Sequence, residues 1–106
     1  MNEGLIGEIN EAYKRLSDAA EALARADREL SGYVGRVRLD NAEALLEAKN
    51  ERTANLYLEG MLDTDEHRAL REARDRAELD HGHARREVER LHLIVRLLSA
   101  DSEAAS

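Results

Sequence analysis

Ile9, Leu16, Leu23, Leu30 and Val37 recur at seven-residue intervals, and Ala12, Ala19, Ala26 and Tyr33 follow the first four by three. Alternating steps of three and four place these side chains on one stripe of an α-helix, and a strand, with its period of two, cannot do so. The alanines tighten the constraint, because a side chain this small on every second seam position lets two helix backbones approach closely. A second stripe of the same kind follows later in the chain. Leu70, Ala77, Ala84, Leu91 and Leu98 recur at seven, with Arg74, His81, Val88 and Val95 in the intervening seam positions.

Composition agrees with helices throughout. Proline, Trp and Phe are absent from the 106 residues and only three Tyr are present. Any core must therefore be thin and made mostly of Ala and Leu between helices. The expectation is a single all-α domain over residues 1–106. Sixteen basic against twenty-three acidic side chains leave a net charge of −7, which opposes broad contact with a phosphate backbone. The chain has no Cys, so disulfide and thiolate chemistry are excluded. No run approaches a membrane span, and residues 1–5 lack the basic and apolar regions of a signal peptide. A cytoplasmic location is expected.

The periodicity predicts a first helix over residues 3–61, weakened or kinked at 31–35 by Gly32 and Gly35, with a turn at 60–63. A second helix follows over 64–99, started by a capping box of Asp63 and Glu66, and then a frayed polar tail over 100–106. The seam keeps its phase through the two glycines but slips at Asp40 and restarts after Leu39. A helix over 3–61 would be about 90 Å long against about 54 Å for the second. That mismatch leaves Leu5, Ile9, Leu16 and Leu23 without an intrachain partner. The reading is a long antiparallel helical hairpin of coiled-coil type whose excess apolar strip is covered by a second copy. Leu16, Leu23, Leu30, Leu91 and Leu98 would be the anchors of that homo-oligomer. A bend at Gly32–Gly35 into a three-helix bundle is the alternative.

Few residues point to chemistry. Glu78 with His81, and Glu89 with His92, have the Glu-x-x-His spacing by which helical bundles hold paired metal ions, with Glu43, Glu47 or Glu51 as opposing carboxylates. The competing reading is that these histidines border the seam, and that Arg74 and His81 within it fix register and partner number. His81 and His83, flanking Gly82, read as a soft spot in the helix. Arg85, Arg86, Arg90 and Arg96 make residues 81–98 locally basic and could meet a nucleic-acid strand, although Glu87 and Glu89 interleave as on a solvated face. No phosphate-cradling glycine loop or nucleophile elbow occurs, and no serine sits where it would be activated. An enzyme is not expected, and neither is a cofactor. Partners should instead be another protein or a copy of the chain.

Residues 42–98 resemble small helical proteins of tailed bacteriophages. The resemblance rests on Leu56, Tyr57, Leu58, Glu59 and Gly60 at the end of a long helix, and on the run from Asp63 to Ala69 that opens an Ala- and Arg-rich one. It implies an accessory of phage recombination or replication machinery. An alternative of the same origin is a small acidic inhibitor of a host defence nuclease, with Glu43, Glu47 and Glu51 set against a basic cleft.

Overall fold

A computed structural model describes residues 3–105, and it is an all-α helical hairpin. Helix α1 runs Glu3–Asp40, α2 Ala42–Leu46, α3 Glu51–Met61 and α4 Asp65–Ala105. The segment expected as one helix over 3–61 is therefore three, and the break lies elsewhere than at the glycines. The backbone stays helical through Gly32 and Gly35, where no positive φ is needed.

Asparagines make the breaks. Asn41 donates from its side-chain amide to the Val37 carbonyl at 2.9 Å, beside its own backbone N–H on the same oxygen at 3.1 Å, and α2 begins at the next residue. Asn50 is extended (φ −158°, ψ 172°) and caps α3, accepting from the Thr53 N–H at 2.8 Å. With α1 shortened to 38 residues and α4 lengthened to 41, the arms are nearly equal. The unpaired N-terminal strip disappears with the length mismatch that implied it. Residues 100–105 are helical as well, because an Ala-rich segment without Gly or Pro has nothing to stop α4.

Contacts divide the chain into two compact units, one joining residues up to Leu23 with those from Ala77 onward, the other comprising Ala24–Arg76. In the first, α1 packs against α4 through the two predicted stripes. Leu91 (1% exposed) and Ala12 (2%) are fully enclosed, Leu5 and Val88 are buried beside them, and Ile9, Leu16, Ile94 and Val95 pack around this cluster. Burying a leucine fully contributes about 2 kcal/mol, and the contact of Ala12 shows what the small seam residues permit. Ala19, Leu23, Ala77, His81 and Ala84 continue the stripes, partly buried.

Leu5, Ile9, Leu16 and Leu91 are thus consumed by the chain's own α4–α1 pairing and are not left over for a second copy. Leu98 departs from the expected seam in the opposite sense, being 50% exposed. It lies at the end of the stripe, where Leu5 is the last apolar seam residue on the facing helix.

The second unit has no fully buried residue among those described. Its seam residues Ala26, Leu30, Tyr33, Val37, Leu70 and Arg74 are partly buried, and polar contacts supplement them. Arg74 donates from Nε to Asp27 at 2.9 Å. The Tyr33 hydroxyl is 2.7 Å from Thr64 Oγ1, and its ring stacks on His67 with centroids 5.9 Å apart. The turn falls at residues 62–64. Thr64, and not Asp63, caps α4, its Oγ1 accepting from the His67 N–H at 3.1 Å. Asp63 is engaged by Arg68, which also binds Asp65. A hydroxyl can cap the helix and receive Tyr33 at once, whereas the carboxylate is better matched to the guanidinium one turn on.

Candidate interaction surfaces

Helix α4 presents its basic stripe in the first unit, but the arginines there are largely committed. Arg90 grips Glu87 through two donors, at 2.7 and 3.1 Å. That pairing lowers the Glu87 carboxyl below its ordinary range and raises the Arg90 guanidinium, in each case chiefly through their shared hydrogen bonds. Arg85 stands 3.9 Å from Glu89. Arg86 folds back along the helix over Gly82, where an added Cβ would sit 3.4 Å from Nη1. Arg96, like Arg86, makes no ion pair among the described residues; it borders an open groove of about 600 Å³ with Ile9, His92 and Val95. The four residues share α4, where Glu87 and Glu89 interleave with them.

The proposed metal ligands are not brought together. Glu89 faces Arg85, and His92 Nε2 forms a hydrogen bond with the Tyr13 hydroxyl across the seam, the rings tilted at 52°. Glu78 and His81 belong to the same unit as these two, whereas Glu43, Glu47 and Glu51 belong to the other. Among the described residues no three of His, Asp and Glu gather as an ion would require. His81 instead lies partly buried in the seam, as does Arg74.

A second groove in the first unit, about 460 Å³, opens where Ala12, Ala19 and Ala84 leave space beside the seam. Arg15, Asp80 and Glu87 rim it, with charges of both signs. In the Ala24–Arg76 unit several large apolar residues are turned outward. Leu46 is 86% exposed at the end of α2 and Leu39 78% exposed at the end of α1, and Leu56 and Tyr57 are exposed on α3. Glu43, Glu47 and Glu51 are exposed around the same bend, without an ion pair among the described residues. A groove of about 660 Å³ lies between α3 and the start of α4. It is lined by Leu56, Gly60 and Leu62 together with Glu59, Asp63, His67, Arg68 and Arg71.

Sequence reasoning missed the cross-hairpin contacts Tyr13–His92 and Tyr33–Thr64, and the outward leucines at 39 and 46. The first two carry a signal: each tyrosine is at or beside a seam position, and its partner sits on the facing helix α4, as His92 does, or at its cap, as Thr64 does. No helix in the structure is long and apolar enough to cross a membrane. Comparison with protein-family models, curated proteins and solved structures gives no match.

Proposed function

We propose that this chain is a non-enzymatic helical interaction protein that self-associates and presents apolar helix faces to its partners. One observation carries the reading. Among the described residues four are buried, Leu5, Ala12, Val88 and Leu91, while Leu39, Leu46, Leu56, Tyr57, Leu79, Leu93 and Leu97 are among the large apolar side chains left exposed. A small domain that keeps so little apolar surface from water is stabilised most readily by covering the remainder with another chain. The described serines, Ser17, Ser31, Ser99 and Ser102, are all exposed on helix faces, a setting that does not activate a nucleophile.

On the resemblance of residues 42–98, the proposed setting is a tailed phage, with the protein an accessory of recombination or replication machinery. It would work through protein contacts more than through phosphates, since Arg85 and Arg90 are already paired with glutamates on their own helix. Sedimentation equilibrium over a hundredfold range of concentration tests self-association. The expected result is a mass that rises with concentration, together with a thermal midpoint that rises in parallel. A single monomer mass throughout, with an invariant midpoint, sinks the reading.

A second reading has its own support in the exposed, unpaired Glu43, Glu47 and Glu51 beside Leu46. These carboxylates could occupy the basic cleft of a defence nuclease. Binding to such a nuclease should then weaken with salt and disappear when all three are replaced by Gln; binding unaffected by both removes this reading.

A further inference from the structure

The geometry points to the α3–α4 groove of the Ala24–Arg76 unit as a two-fold self-docking surface, in which Glu59 of one copy pairs with Arg71 of the other. This deepens the self-association reading and rests on it. The groove is lined by apolar Leu56, Gly60 and Leu62, by opposite charges from the two helices, Glu59 of α3 and Arg71 of α4, and by Asp63, His67 and Arg68. Glu59 and Arg71 are exposed, and neither makes an ion pair with any described residue. They border one groove without meeting each other.

Arg68, the groove's other guanidinium, is held by Asp63 and Asp65, so Arg71 is the cation open to an incoming carboxylate. An isologous contact uses the same patch twice, so that residue i meets residue j while j meets i. A patch carrying one unsatisfied acid and one unsatisfied base beside apolar residues is self-complementary in that sense.

The groove also suits close approach. A Cβ built at Gly60 would meet nothing within 4 Å in the isolated chain, so the glycine leaves an open site on the helix surface. Exposed Leu56 and Tyr57 lie on the same helix, the kind of apolar and aromatic side chains that anchor protein interfaces. The occupant favoured by this pattern is a second copy, since a partner of one charge sign would satisfy only one of the two charges.

The test is a charge-swap series on the full chain, read by sedimentation equilibrium. Glu59→Arg and Arg71→Glu should each weaken self-association about tenfold, and the double variant should recover most of the loss. Gly60→Leu should also weaken association while leaving the monomer helical, because its side chain has room in the isolated chain. Far-UV circular dichroism at low concentration confirms that each variant folds. If the wild-type chain is monomeric at every concentration, the self-association reading and this surface fall together, and the groove belongs to a different protein. If the wild type associates but the single swaps leave its affinity unchanged, or the double swap restores nothing, self-association stands and this surface is overturned.

Discussion

Among the described residues Leu91 is the largest side chain enclosed fully, and it sits in a cluster of four buried residues. Leu91→Ala should therefore cost about 2 to 5 kcal/mol, with little chance of compensation elsewhere in so thin a core. Urea denaturation checks this, and a loss below 1 kcal/mol would show that the cluster is not what holds α1 to α4. Glu87 makes a different prediction. Its folded-state pKa is depressed by Arg90, so its contribution is present above the unfolded carboxyl pKa and is lost as pH falls through the folded value. Helicity on acidification should fall less steeply in Glu87→Gln, which lacks the charge from the outset; identical acid profiles would remove the pair from the account. At this scale the sequence was highly readable. The stripe positions from Ile9 to Val37 and from Leu70 to Val95, polar Arg74 and His81 included, are all buried or partly buried, because a heptad specifies faces as well as helices. Leu98 escaped it because a periodicity carries no information about where the facing helix runs out.

Elements were less legible than faces. The glycines at 32 and 35 invited a break that did not occur, since a glycine lowers helix propensity by about 1 kcal/mol but offers the backbone no competing partner. The breaks fall at asparagines instead: Asn50 caps α3 through its side chain, and Asn41 adds a side-chain donor to the Val37 carbonyl beside its own N–H. The slip of phase at Asp40 marked the neighbourhood, yet which polar side chain would win the backbone depends on local hydrogen bonding that a spacing pattern does not encode. The turn shows the same limit. Thr64 and Asp63 are both good caps, and it is Thr64 that caps α4, its hydroxyl also meeting Tyr33, thirty-one residues away. Thr64→Ala removes the cap and Tyr33's partner together and should destabilise the hairpin by roughly 1 to 2 kcal/mol. Thr64→Ser should recover most of that loss in thermal denaturation, because it keeps the hydroxyl. A serine variant as weak as the alanine would mean that the methyl group, not the capping oxygen, carries the effect.

For the molecule as a whole, the exposed leucines were the least legible feature, because Leu39 and Leu46 look like core residues until the chain is seen to break beside each of them. The seam itself raises a question that repeats always raise. Equal heptads permit a helix to slide by seven residues and still match apolar with apolar. The residues of α1 at the interval of Tyr13 and Asp27 are Ile6, Tyr13, Ala20, Asp27 and Val34, and of these only Tyr13 and Asp27 can hydrogen-bond through a side chain. A one-heptad slip would bring Ala20 or Val34 to Arg74, and Ile6 or Ala20 to His92. Either removes a hydrogen bond that runs from α1 to α4. The double variant Tyr13→Phe with Asp27→Ala should thus refold with an added slow phase from slipped hairpins that must reopen, where the natural chain refolds in one; single-phase refolding of both would count against this. The two polar contacts then act as proofreading marks on a ruler whose gradations are otherwise identical, making a misaligned hairpin short-lived instead of merely less stable.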